Sequence, residues 1–112
     1  MEGRRKILGT NAYEAPNGVA TLLFDSGGVN AALPNGTALI TIENIHASAA
    51  IEIASKTVAG VAPAAGASAM GKIAAGGARQ FAAGVANLQN LYVAGVGADV
   101  PFVIWYEGPE RA

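Results

Sequence analysis

A chain of 112 residues makes one domain and buries roughly two thirds of the surface its unfolded form exposes, so no metal or disulfide staple is required. It has no cysteine, which excludes thiol chemistry and leaves the redox compartment unread. A formal net charge of −1 argues against nucleic-acid binding by bulk charge, and charged residues make only 13% of the chain, about half the usual share.

Hydrophobic residues make 52% of the chain, much of it alanine, so the surface is poor in charge and calls for a cover. A membrane is a poor candidate. The long uncharged run Gln80–Ala98 carries Gln80, Asn87, Gln89 and Asn90 and is interrupted by glycine, which is too polar and too loosely helical for a spanning helix. The start, "MEGRRK", has no apolar run behind it and does not read as a secretory signal. Another protein is the expected cover.

In chain order, residues 1–14 read as a flexible N-terminal arm and 15–112 as the folded domain. The arm holds the basic cluster Arg4, Arg5, Lys6 and shows little periodicity, so truncating it should spare the fold and weaken docking. Two matching turn signals follow, Ala15-Pro16-Asn17-Gly18 and Leu33-Pro34-Asn35-Gly36. Proline pre-sets the first central position of a turn, and glycine supplies the left-handed residue after it. Each precedes a strand-like run, "VATLLF" (19–24) and "TALITIENI" (37–45), which reads as hairpins.

Ile40 and Ile42 alternate with Thr41 and Glu43, the pattern of a half-buried strand, and "AIEIAS" (50–55) repeats it with Ile51 and Ile53 inward and Glu52 outward. The short polar link between them predicts that these two strands pair antiparallel. The stretch 57–87 is alanine-rich, but glycines at 60, 66, 71, 76, 77 and 84 and Pro63 exclude a long helix. Loops and short strands anchored by Ile73 and Phe81 are expected there, with room for a helical turn near 78–84. "NLYVAGV" (90–96) and "VPFVIWYEG" (100–108), joined by Gly97-Ala98-Asp99, read as a last hairpin, with Pro101 placing the strand start at an edge or bulge. The whole predicts an all-β, single antiparallel β-sandwich.

The last strand is apolar on both faces. Val100, Phe102, Ile104 and Tyr106 point one way, Val103 and Trp105 the other, whereas a strand with one wet face alternates apolar with polar. Its second face therefore asks for a second cover, expected to be another subunit. Tyr92, Val103, Trp105 and Tyr106, with Arg4, Arg5 and Lys6, are the candidate interface residues.

No catalytic constellation is legible. His46 is the only histidine and lacks a partner of metal-ligating type, so a structural or solvated role is expected. Glu43 and Glu52 fall on the outer faces of strands expected to be neighbours, a superficial likeness to a glycosidase pair, but outward glutamates usually serve solubility. Ser26, Ser48, Ser55 and Ser68 lack a strand–elbow–helix context. The glycine-rich runs 95–100 and 74–79 open no helix and read as turns rather than phosphate cradles. An enzyme and a cofactor are not expected.

From "ALITIENIHASAAIEIAS" through "PAAGASAMGKIAAGGARQF" to "NLYVAG" and the closing "VPFVIWYEG", residues 37–108 resemble the small β-sandwich capsid decoration (cement) proteins of tailed bacteriophages. The resemblance implies a jelly-roll-like sandwich that self-associates as a homodimer or homotrimer. It further implies binding to the major capsid protein on the outer surface of the assembled virion head, without catalytic residues. The alternatives are a tail, spike or fibre module with a receptor- or carbohydrate-binding role, and a small enzyme or ligand-binding sandwich, with carbohydrate its natural ligand and Trp105 the candidate aromatic platform.

Overall fold

A computed structural model of the chain describes residues 5–24, 37–56, 63–66, 70–82 and 90–109. Among the described residues eight strands are formed: β1 (Arg5–Ala15), β2 (Thr21–Leu22), β3 (Leu39–Asn44), β4 (Ile51–Ser55), β5 (Gly71–Ile73), β6 (Ala78–Ala82), β7 (Leu91–Gly95) and β8 (Val100–Pro109). They make two four-stranded antiparallel sheets, ordered β1-β8-β3-β6 and β2-β7-β4-β5.

The order has a simple logic. β1 pairs β8, β2 pairs β7, β3 pairs β6 and β4 pairs β5, so the chain is one long antiparallel ribbon with its tip between β4 and β5. Rolling that ribbon brings β8 beside β3 and β7 beside β4. Two sheets connected in this way are a jelly roll. The β-sandwich expected from the sequence is the fold observed.

Alternation fills the space between the sheets. Ile40, Ile42, Phe102, Ile104 and Tyr106 of one sheet meet Ile51, Ile53, Ile73, Leu91 and Val93 of the other in a single buried cluster. Burying each such side chain fully is worth about 1.5–3 kcal/mol, so this one layer carries most of the stability. Phe81 packs against its margin. Tyr106, expected at an interface, is instead fully buried. Its ring lies 6.4 Å from that of Phe24, and its hydroxyl accepts a hydrogen bond from Asn11 Nδ2 at 3.3 Å. Burial pushes that hydroxyl up to about 12.

Residues 5–14 are not an arm. β1 runs alongside β8 over ten paired positions, from Arg5 opposite Pro109 to Ala15 opposite Val100. Leu8 and Tyr13 pack against the core, and the Tyr13 ring sits 5.9 Å from Phe102. The register slips between Ile7 and Gly9, a bulge that puts the apolar alternation out of phase on its two sides. That slip is why no strand period is visible in "KILGTNAYEA". Residues 78–82, where a helical turn was allowed, are strand β6.

The expected hairpins are corrected too. The turn at Pro16-Asn17-Gly18 forms, with Gly18 at φ 70° and Val19 N donating to Pro16 O, but it carries the chain from β1 in one sheet to β2 in the other. The links β3–β4 and β7–β8 also cross between sheets, so β3 does not pair β4 and β7 does not pair β8. The turn at 33–36 lies outside the described residues. Pro101 sits in a central strand rather than at an edge, just past the last β3 pair, Asn44 opposite Phe102, and its carbonyl alone joins the chain leaving β3 by accepting from Ile45 N at 3.3 Å.

Asn44 makes the β3–β4 crossing. Fully buried, its Nδ2 donates to Ala49 O at 2.9 Å and Ile73 O at 3.0 Å, and its Oδ1 accepts from His46 N at 2.9 Å. His46 Nδ1 then accepts from Ser48 N (2.9 Å) and Ala49 N (2.8 Å), which assigns the lone histidine a structural role and puts its proton on Nε2. Removing the amide deletes three buried or part-buried hydrogen bonds at once, to Ala49 O, Ile73 O and His46 N. Asn44→Ala should therefore lower stability by about 3 kcal/mol, read as a shift of the urea midpoint at unchanged slope. A change under about 1 kcal/mol would show that water replaces the amide.

Candidate interaction face

The two outer faces of the sandwich differ. On the β2-β7-β4-β5 sheet, Tyr92 lies between Leu22 and Ala54, while Ala94, Glu52 and Lys72 form the next row. Ala94 and Glu52 are buried although they point away from the core. Gly66 N donates to Glu52 Oε1 at 3.1 Å, which shows the β4–β5 connection folding back across this face. The chain thus buries the row of Glu52 and Ala94 itself, while Leu22, Ala54 and Tyr92 are half-buried and Lys72 is exposed.

The outer face of the β1-β8-β3-β6 sheet is open around Trp105 and along β1, although Leu39, in the row of Ile7 and Glu107, is buried. One row crosses it as Thr10, Trp105, Thr41 and Gln80, and the next as Ala12, Val103, Glu43 and Ala78. Trp105 is 37% exposed, and its Nε1 donates to Glu43 Oε1 at 3.3 Å, which holds the indole on the sheet. Ile7, 63% exposed, stands beside Glu107 one row further along. The charged side chains described on this face, Glu14, Glu43 and Glu107, are all carboxylates. The face is thus a shallow, mostly small-residue platform with one aromatic at its centre and acids around it.

The proposed interface residues are not all brought together. Val103 and Trp105 share this platform. Tyr92 lies on the opposite outer face and Tyr106 in the core, so neither joins them. Arg5 and Lys6 sit at one end of β1, and Arg4 is outside the described residues. The residues missed are Ile7, Thr10 and Ala12, because β1 itself was missed. The signal that marks them is Gly9 following Leu8, a glycine inside an otherwise strand-like stretch, which is a common sign of a bulge.

The glycosidase likeness ends here. Glu43 and Glu52 stand on the outer faces of different sheets, with the core between them, and cannot act on one bond. Among the described residues, no three histidine, cysteine or acidic side chains gather as metal ligands. Comparison with family models, with curated proteins and with solved structures finds no match for this chain.

Proposed function

We propose that this is a virion structural protein, a capsid decoration protein that docks on the outer surface of an assembled phage head through the outer face of the β1-β8-β3-β6 sheet. The observation that carries the reading is the exposed Trp105 indole beside exposed Thr10 and Ala12 on this outer face, whereas Glu52 and Ala94 of the other sheet's outer face are buried by the chain itself. A low-charge surface rich in small residues suits close backbone approach to a neighbour, and jelly rolls recur among viral coat components. Fold alone does not assign function, so the weight rests on the platform. Its carboxylates call for a coat surface that is basic opposite Glu43 and Glu107.

The action is thermodynamic and needs no chemistry or cofactor. A protein that binds the assembled shell in preference to the free coat subunit stabilises the shell by mass action, at each of many repeated sites. Trp105→Ala on the major capsid protein's assembled heads is the test. An interface tryptophan is worth about 2 kcal/mol or more, so head affinity should fall roughly 30-fold, while folding stability changes by about 1 kcal/mol or less. Decorated heads should also retain DNA to a higher temperature than bare ones. Equal retention at full occupancy would overturn the decoration reading. It would favour a carbohydrate-binding tail or fibre module, for which an exposed indole between Thr10, Thr41 and Glu43 is the supporting feature.

A further inference from the structure

Among the described strands four lie at sheet edges, and three are shorter than β1 by half or more: β2 has two residues, β5 three and β6 five. Short edges are a common protection against pairing with other chains. β1 differs. It is 11 residues long, pairs only β8 among the described strands, and carries no charge across the seven residues Ile7–Tyr13. Thr10, Asn11 and Ala12 in its middle are exposed. A long, uncharged, open edge presents backbone donors and acceptors that another strand can satisfy.

The charges on β1 indicate which strand. Its first end is basic, Arg5 and Lys6, and its last charged residue is Glu14. Counted through the bulge, a second copy laid antiparallel about Thr10 sets position 5 of each β1 opposite Glu14 of the other, with Lys6 adjacent, so basic end meets acid at both ends of the contact. A parallel copy sets like charge against like. We propose that two copies of this chain pair antiparallel along β1, about a two-fold axis near Thr10, joining their β1-β8-β3-β6 sheets into one eight-stranded sheet. Antiparallel self-pairing is isologous and closes as a dimer, so it selects the dimer over the trimer. It also doubles the open platform, because the row Thr10, Trp105, Thr41, Gln80 continues across the axis into the same row of the partner copy. Dimerisation through β1 is independent of what that platform binds.

Lys6 and Glu14 lie eight positions apart along one extended strand, roughly 26 Å, so they do not pair within one copy. A charge-swap cycle on the full chain, read by sedimentation over a concentration series, is therefore specific. Reversing the basic end (Arg5→Glu with Lys6→Glu) should weaken the dimer about tenfold, since each change acts twice across the axis, and Glu14→Lys should do the same. Combining them restores opposite charge and should bring affinity back to within about threefold of the original. High salt should shrink all three differences. Thr10→Lys, which sets two ammonium groups across the axis, should abolish pairing while circular dichroism stays unchanged.

In the unaltered protein, hydrogen exchange should slow at the β1 amides that point away from β8 as concentration passes through the dimer range. A monomer at millimolar concentration, a trimer, or a dimer indifferent to the swaps and to Thr10→Lys would each overturn the proposal.

Discussion

A chain lacking residues 1–14 fails to fold. Its loss removes all of β1 but Ala15, and with it the ladder on one side of β8. β8 is the strand that places Phe102, Ile104 and Tyr106 in the core, and β1 covers them at the sandwich margin through Leu8 and Tyr13. Two partly buried large side chains and the Asn11 amide on Tyr106 go at once. At up to about 1.5–3 kcal/mol for each large apolar side chain, less where burial is partial, plus about 1 kcal/mol for each ladder bond, the deficit is of the order of the 5–15 kcal/mol by which an ordinary domain is stable. The expected result is a chain without a cooperative melt and with collapsed amide dispersion in the NMR spectrum. Removing residues 1–4 alone spares every paired position of β1 and should leave the melt intact. A cooperatively melting 15–112 chain would restore the view of this segment as an arm.

Gly95→Ala is expected to be strongly destabilising, because its added methyl meets backbone. Gly95 ends β7 where two crossings meet: its N–H donates to Pro16 O at 2.8 Å, and its carbonyl accepts from Gly18 N at 3.0 Å. Asn17 N, on the same turn, donates to Asp99 Oδ1 at 2.8 Å. A Cβ at Gly95 would overlap the carbonyl oxygen of Ala98 and lie 2.9 Å from that of Ala15. Both obstacles are backbone, so no side-chain rotation relieves them, and one of the crossings must move. The expected cost is about 3 kcal/mol or more, a drop of roughly 1 M or more in the urea midpoint. Gly9→Ala is the matched control: its Cβ meets nothing within 4 Å, and its stability should stay within about 0.5 kcal/mol. Equal effects at both positions would show that chain entropy, not the close approach, governs Gly95.

Both predictions concern features that differ in how far the sequence reveals them. Strand alternation at Ile40/Ile42, Ile51/Ile53 and Phe102/Ile104/Tyr106 is a local property, set by which face each residue needs, and it defined the sandwich class and the inner faces. The two-sided apolarity of β8 likewise marked Trp105 and Val103 as needing a cover beyond the core. β1 stayed hidden because one bulge at Leu8 breaks the period that would betray it.

The hairpins were misread for a different reason. A proline–asparagine–glycine turn dictates that the chain reverses, but not which sheet receives the returning strand. At Gly18, at Asn44 and at Gly95 that choice is made by contacts between segments far apart in the chain: Pro16 with Gly95, Asn17 with Asp99, Asn44 with Ile73. The open platform is legible only in three dimensions as well. Glu52 and Glu43 have the same local pattern, yet the β4–β5 connection closes over the first and leaves the second beside an exposed indole. Local chemistry determined the alternating strands β3, β4 and β8, the turn at Gly18 and the residues there that face inward; long-range packing alone decided which strands became neighbours and which outward residues stayed exposed.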